Sequence, residues 1–257
     1  MRARSSLVAT SFALFSCAGA APEPQTPPAS PADAQGPAEK GSTPAASSGS
    51  PLSDNAAVAF RADFANLDAN QLWNVFGGQN GNREVKGGAD GLWVKIADAE
   101  KAWDAVGLRT AKLKVDGDFD LRGRFRDFSA GGNGSAKLIV VDAASPRGEA
   151  AYVERIQIDG KNLFKFGGEV EGNLENWGFV ATNATGADLR LNRVGETLHA
   201  YMRADENAKW TEFTAAQPVP KTMARVLKVG VKLSSEAHKP AQVRWVDLTL
   251  NGTLLRD

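Results

Sequence analysis

The stretch "GDFDLRGRF", residues 117–125, decides the fold of this 257-residue chain because its side chains alternate strictly. Its apolar residues fall on one side of an extended backbone: Phe119, Leu121 and Phe125, with Gly123 among them. Its charged residues fall on the other side: Asp118, Asp120, Arg122 and Arg124. Successive side chains of a β-strand point to opposite faces, so the stretch predicts a strand with one core face and one charged face.

The same two-residue periodicity runs from about residue 57 to the C-terminus. About a dozen strand candidates are separated by clusters of Gly, Asn, Asp and Pro, as short antiparallel strands require. Hairpin turns are predicted at residues 158–163, 193–198 and 205–210. Two segments, 68–77 and 98–107, have a pattern open to a short helix, and we expect loop or a single turn there. The predicted fold class is all-β, a two-sheet antiparallel jelly-roll sandwich.

The N-terminus has the features of a secretory signal. A basic start is followed by an apolar run at residues 7–15, which is too short to span a membrane as a helix. The only cysteine, Cys17, comes next in "LFSC", which resembles the bacterial lipobox, where the signal is cut before a lipid-modified cysteine. We predict a lipoprotein signal peptide at residues 1–16 and a lipid on Cys17. Ordinary cleavage before Ala21 is the alternative.

Residues 17–55 are rich in Pro, Ala and Ser, and this composition predicts a disordered linker. Residues 56–257 are predicted to form the folded domain, so the protein is expected to be lipid-anchored on a bacterial cell envelope, at the outer membrane or cell surface. The domain carries 27 basic and 26 acidic side chains. Because this balance gives no net attraction to polyanions, a nucleic-acid partner is not expected. With Cys17 placed at the lipid anchor, no intramolecular disulfide is predicted.

Several segments together resemble a known superfamily. They are "GLWVKI", "AVGLRT", "VDGDFDLRGRF", "ADLRLNRVGETLHAYMRADENAKWTEF", "VGVKL" and "QVRWVDLTLNG", in this order. Their core positions and turns resemble the concanavalin A-like lectin/glucanase superfamily, and in particular its uncharacterised bacterial members, over residues 60–252. The resemblance implies a concanavalin A-like sandwich. Members of that superfamily commonly bind glycans, some cleave them, and many have no known ligand.

Catalytic and metal motifs are weak in this sequence. Laminarinase-like members carry E-x-D-x-E or E-x-D-x-x-E on one strand, whereas "GEVEGNLENWG" offers Glu169, Glu171 and Glu175 around turn residues and lacks the central Asp. Asp116, Asp118 and Asp120 lack the Gly and Glu that an EF-hand needs, although a calcium site built from separate loops remains compatible with the sequence. His199 and His238 have no second His or Cys nearby, so no zinc site and no cofactor are predicted.

The charged face of the opening stretch extends to other strands when the alternation is carried along the chain. Side chains predicted to face outward and to bind a ligand are Arg122, Arg124, Arg155, Arg190, His199, Tyr201 and Trp245. In the same pattern Ile156 and Val246 face the core, while Arg203, Lys228 and Lys232 add positive charge outside. Arg pairs with carboxylate or phosphate and aromatic rings stack on sugars, so the hypothesis is an acidic polysaccharide partner. The alternative is ordinary cross-strand pairing on a solvated sheet.

The tryptophans divide into two groups. Trp93 and Trp210 are expected to pack, whereas Trp73, Trp103 and Trp177 lie beside loops and could line a site. The function predicted from all of these features is a non-catalytic domain that binds glycan or a cell-wall polymer. A glycoside hydrolase or lyase with an unrecognised site, and a structural or protein-interaction module, are the alternatives.

Overall fold

Antiparallel strands make up most of the computed structural model, which describes residues 58–67, 71–78, 80–144, 150–170, 172–213 and 216–257. The first half of the described chain contains β1 (Phe60–Arg61), a 3-10 helix (Phe64–Asn66), β2 (Trp73–Phe76), β3 (Arg83–Gly88), β4 (Gly91–Ile96), β5 (Asp104–Thr110), β6 (Leu113–Ala130) and β7 (Gly134–Asp142). The second half contains β8 (Ala151–Ile158), β9 (Lys161–Val170), β10 (Asn173–Ala181), β11 (Ala187–Val194), β12 (Thr197–Arg203), β13 (Thr211–Glu212), β14 (Gln217–Pro218), β15 (Val226–Ser235) and β16 (Ala241–Arg256).

Two layers follow from the strand pairing. The front sheet has the order β2-β5-β15-β7-β8-β9-β10. The back sheet has the order β3-β4-β16-β6-β11-β12-β13, with β1 on β16 and β14 on β12. A short pairing of Val226 and Leu227 with the start of β6 joins the layers. The predicted all-β, two-sheet antiparallel sandwich is confirmed.

The opening stretch lies in β6 at the centre of the back sheet, and its apolar face is core. Phe119, Leu121 and Phe125 are fully buried. A Cβ added at Gly123 would lie 2.8 Å from a ring carbon of Trp245 and 3.0 Å from Leu138. Glycine at position 123 therefore makes room for the largest buried side chain of the core.

The outward orientation predicted for Trp245 is wrong. Its side chain is fully buried, and its ring lies 5.7 Å from the ring of Phe125. The pairing of β16 with β6 shifts register between Trp245 and Asp247, so Val246 is the extra residue of a β-bulge. Because the bulge reverses the alternation, Trp245 before it and Leu248 after it both face the core.

The outward orientation predicted for Arg155 is also wrong. In β8, Val153 and Arg155 pair with the core residues Phe166 and Phe164 of β9, so both point between the sheets. Arg155 is 3% exposed, and its guanidinium donates to the carbonyls of Ala184 and Ile156. Burial lowers the pKa of this arginine from its ordinary value. Ile156, which the alternation had placed in the core, lies on the outer face of the front sheet.

The three predicted hairpins form. Asp159 and Gly160, both with positive φ, connect β8 to β9, and Gly195 lies in the tight turn between β11 and β12. Residues 204–210 connect β12 to its antiparallel partner β13. The two segments with a possible helical pattern contribute instead to β2 and β5, where they are described. Among the described residues, helices of the length and hydropathy needed to cross a bilayer are absent.

Candidate functional site

A groove of about 410 Å³ lies on the outer face of the front sheet. We call it the front groove. Its walls are formed by Trp103, Ser135, Lys137, Tyr152, Glu154, Ile156, Ile158, Lys165, Glu169, Leu174, Lys232 and Ser234. Most of these residues come from β15, β7, β8 and β9, which are four neighbouring strands, so their side chains converge because the strands are paired in register.

One cross-strand row supplies most of the charge in the groove. Lys232, Lys137, Glu154 and Lys165 stand opposite one another on four successive strands. Glu154 is 1% exposed, and its two carboxylate oxygens each lie 3.5 Å from an ammonium nitrogen, that of Lys137 on one side and of Lys165 on the other. Three ammonium groups thus share a row with one carboxylate.

The row lies over an apolar base. The Tyr152 ring has the ammonium of Lys137 4.2 Å from its centroid and that of Lys165 5.6 Å away. Tyr152 packs with Ile139 and Val141 in a small cluster on this outer face, separate from the main core. Because Tyr152 is fully buried, the charges lie over an apolar base, which strengthens their electrostatic interactions relative to those of fully solvated groups.

Two buried polar atoms in the groove make no hydrogen bond to the described residues. They are the Ser135 hydroxyl and Glu154 Oε2, and the latter lies 3.5 Å from the Lys137 ammonium nitrogen as an ion pair. Buried polar groups in folded proteins nearly always have a partner, so such atoms indicate where a bound molecule can complete the hydrogen bonding. Both atoms belong to side chains that line the groove.

Exposed apolar side chains concentrate on the same face. Five large apolar residues are exposed in the described part of the chain: Val58, Trp103, Leu174, Phe179 and Leu255. Trp103, 44% exposed, and Leu174, 65% exposed, line the groove. Phe179, 69% exposed, stands opposite Lys165 on the edge strand β10 and extends the charged row outward. Of the loop-side tryptophans singled out in the sequence, Trp103 is the one that lines this groove.

The outer face of the back sheet carries a different arrangement, which we call the back-face network: Asp120, Arg122, Arg124, Arg126, Asp188, Arg190 and Arg203. Asp120 is fully buried and accepts from Arg190 Nε at 2.8 Å and from Arg122 Nη2 at 2.7 Å. Asp188 accepts from Arg124 Nε and from Arg203 Nε, each at 2.9 Å, with Arg126 at 3.6 Å. Each carboxylate therefore serves several arginines from neighbouring strands.

Aromatic residues cover part of this network. The Arg203 guanidinium lies 4.4 Å and that of Arg190 5.9 Å from the centre of the Trp210 ring. His199 stacks on Tyr201 with ring centroids 6.2 Å apart, and its Nδ1 lies 2.8 Å from Glu212 Oε1. Burial raises the pKa of Tyr201, and the Glu212 carboxylate raises it further. Tyr201 is therefore uncharged near neutral pH.

The structure places the seven predicted ligand-binding side chains in two locations. Arg122, Arg124, Arg190, His199 and Tyr201 share the outer face of the back sheet. Arg155 and Trp245 lie between the sheets. Lys228 and Lys232 face outward from the front sheet, so the predicted basic face is divided between two opposite surfaces. A ligand-binding role for the five residues on the back sheet remains a prediction.

The sequence did not predict the front groove, although it singled out three of its residues, Trp103, Glu169 and Lys232. The segments "SAKLIVV" and "AYVERIQI" carry apolar residues at both alternating sets of positions. A strand that is apolar on both faces gives no signal for which face is the interior.

The weak catalytic and metal motifs form no paired site in the described residues. Glu169 stands opposite Leu174 and Glu175 opposite Gly168, so the two acids point to opposite faces of the β9–β10 hairpin, while Glu171 is outside the described residues. Asp118 accepts from the Gly195 backbone, and Asp116 pairs with Arg225. Within the described part of the chain, His, Asp and Glu side chains form no cluster of three or more able to hold a metal ion.

Comparison with known families identifies the domain. The model described as "Protein of unknown function (DUF1583) C domain" matches residues 45–255. The chain belongs to this family. The DUF1583 C domain thus includes every strand described above except the last residue of β16. No curated protein sequence matches the chain.

Solved structures place the DUF1583 C domain among lectin-like sandwiches. The CBM2 module of the evolved Dit of Lactobacillus casei BL23 phage J-1 is similar with a TM-score of 0.55, 7% identity, and coverage of 77% of this chain and 95% of that one. Lectin I-B4 from Griffonia simplicifolia is similar with a TM-score of 0.52 and 12% identity, and the match covers 76% of this chain and 99% of the lectin. The exoplasmic/lumenal domain of VIP36, solved with Ca²⁺ and Man3GlcNAc, is similar with a TM-score of 0.51 and 8% identity, and the match covers 71% of this chain and 86% of the VIP36 domain. The chain therefore has the concanavalin A-like fold that its sequence resembles.

Proposed function

We propose that the DUF1583 C domain of this chain is a non-catalytic polysaccharide-binding module that uses the front groove. The observation that carries the proposal is the clustering of exposed apolar side chains. Trp103, Leu174 and Phe179 stand on one face, beside a groove with a few fixed polar groups. Ligand sites combine apolar and aromatic surface with a small number of placed polar groups in this way.

The spacing of these side chains favours an extended ligand. Trp103 precedes β5 and Phe179 lies in β10, five strand positions apart in the front sheet. Neighbouring strands are about 4.8 Å apart, so this face is about 24 Å wide. An oligosaccharide segment could contact both aromatic rings, whereas a single sugar could contact only one.

The similarity in fold to sugar-binding proteins also supports the proposal. A lectin from Griffonia simplicifolia has the same fold, and VIP36 with that fold was solved with Man3GlcNAc bound. The back-face network supports the choice of surface, because its arginines are already paired with Asp120 and Asp188. A ligand there would have to displace carboxylates that lie almost fully buried beside the guanidinium groups.

We also propose that the module is displayed on a bacterial cell envelope. Cys17 and the Pro-rich segment 17–55 support a lipid anchor and a tether, and both lie outside the described residues. Replacing Cys17 by Ala should abolish labelling of the protein with radioactive palmitate and release it from the membrane fraction. An unlabelled wild-type protein that begins at Ala21 would show that the anchor is absent.

A glycan array with the purified protein tests the binding proposal. We expect at least one polysaccharide to bind, and Trp103→Ala and Leu174→Ala to weaken that binding about tenfold or more. Trp93→Ala and Leu255→Ala remove a tryptophan from the back sheet and an exposed leucine near the C-terminus, so they are the matched controls. Release of reducing sugar from the bound polysaccharide would instead favour a hydrolase, and a new unsaturated sugar product would favour a lyase. An array with no bound glycan would contradict the proposal and favour the protein-interaction module.

A further inference from the structure

We propose that the front groove selects polysaccharides with carboxylate groups, which Lys137, Lys165 and Lys232 bind. This inference rests on the proposed function and specifies the class of its ligand. It differs from the hypothesis made from the sequence, which placed anion binding on arginines that the structure locates in the back-face network or between the sheets.

The charge of the groove supports this selection. Among the residues that the structure describes, its lining contains three lysines against two acidic residues, Glu154 and Glu169. The folded domain as a whole is close to neutral, so the excess of positive charge is local. Lys232, Lys137 and Lys165 lie within four successive strands, a width of about 14 Å.

Glu154 fixes the position of two of the three lysines. Each of its carboxylate oxygens lies 3.5 Å from one ammonium nitrogen, that of Lys137 or that of Lys165. Glu154 lies almost fully buried between Lys137 and Lys165, so it holds their ammonium groups over the Tyr152 ring at the base of the groove. We therefore assign Glu154 as a positioning residue for the two lysines.

The apolar surroundings distinguish a sugar acid from a small inorganic anion. The lysine row continues to the exposed ring of Phe179, and the groove that it crosses is also lined by Trp103, which directly precedes β5. A uronic acid has a carboxylate and a ring face within one sugar residue. A chain of uronic acids could therefore place its carboxylates on the lysines and its ring faces on the apolar side chains of the same face. Free phosphate or sulfate matches the charge alone.

Pairs of polymers that differ only by methyl esterification of their carboxylates provide the test. Polygalacturonate and alginate are each compared with their fully methyl-esterified forms in binding to the purified protein. We expect at least one acidic polymer to bind about tenfold or more tightly than its ester, and added NaCl to weaken that binding. Lys137→Gln and Lys165→Gln should each reduce affinity about tenfold, the effect of one charge-assisted contact.

Controls separate binding from folding. Lys95→Gln removes a back-sheet lysine that lies 3.8 Å from Glu84, so it matches the loss of an ion-paired ammonium group and should leave binding unchanged. Lys232→Gln is the second variant if Lys137→Gln lowers the melting temperature. Equal binding of acid and ester would overturn the selectivity and leave the proposed function standing. If neither these polymers nor the glycans of the array bind, the proposed function itself fails.

Discussion

The two outer faces of the sandwich use charge in opposite ways. On the back sheet, two buried carboxylates, Asp120 and Asp188, each accept hydrogen bonds from arginines on neighbouring strands. On the front sheet, Lys232, Lys137 and Lys165 share a cross-strand row with Glu154, beside exposed apolar side chains. Charge buried in a network of arginines and carboxylates stabilises the sheet, whereas charge beside exposed apolar surface is the combination that ligand sites use.

The largest effect should come from Trp245, whose position distinguishes the core from both outer faces. Trp245→Ala removes a fully buried ring that packs on Phe125, and we expect a loss of about 3–5 kcal/mol in the free energy of unfolding. Trp103→Ala at the groove should change that free energy by less than about 0.5 kcal/mol, since Trp103 is exposed. Denaturant unfolding of the two variants provides the measurement. If both variants lost equally little free energy of unfolding, the result would support the outward orientation that the sequence predicted for Trp245.

A comparable loss is expected at the centre of the back-face network. Asp120→Ala leaves Arg190, which is 5% exposed, without its carboxylate, and breaking a buried ion pair in this way costs about 3–5 kcal/mol. Asp118→Ala is the control, because the exposed Asp118 makes a single hydrogen bond to the Gly195 backbone. Its loss should stay below about 1.5 kcal/mol. If the two variants unfold at the same urea concentration, the network contributes little to stability.

Smaller effects are expected from the partly exposed arginines. Arg122→Ala and Arg124→Ala should each lower stability by about 1–3 kcal/mol, because each guanidinium donates to a buried carboxylate. Binding of any polysaccharide found for the wild type should be unchanged. Thermal melts and titrations of the same samples measure both. A variant that keeps wild-type stability and loses binding would move the site to the back sheet.

The sequence predicted the fold well because the opening stretch has unambiguous faces. Phe119, Leu121 and Phe125 are the only large apolar residues in residues 117–125, whose other residues are charged or glycine. Alternation can therefore place only these three side chains in the core. The bulge at Val246 could not be seen in the same way, since Trp245 and Val246 are both acceptable core residues. One inserted residue was enough to reverse the prediction for Trp245.

The candidate site was harder to predict because it depends on which strands are neighbours. Arg122, Arg190 and Tyr201 were correctly grouped by alternation, yet their acidic partners became visible only from the strand order. In β8 the same alternation placed Ile156 inside and Arg155 outside, the reverse of the structure. The front groove is assembled from strands that are far apart in sequence, such as β15 and β7.

We propose that the front groove, and not the back-face network, contacts polysaccharide. The most direct test maps backbone amide chemical shifts of the protein on titration with a bound oligosaccharide, for example an oligogalacturonate. We expect the largest changes around Lys137, Glu154 and Lys165, and small changes at Asp120, Arg190 and Tyr201. Changes concentrated at Asp120, Arg190 and Tyr201 would instead place the binding site on the back sheet.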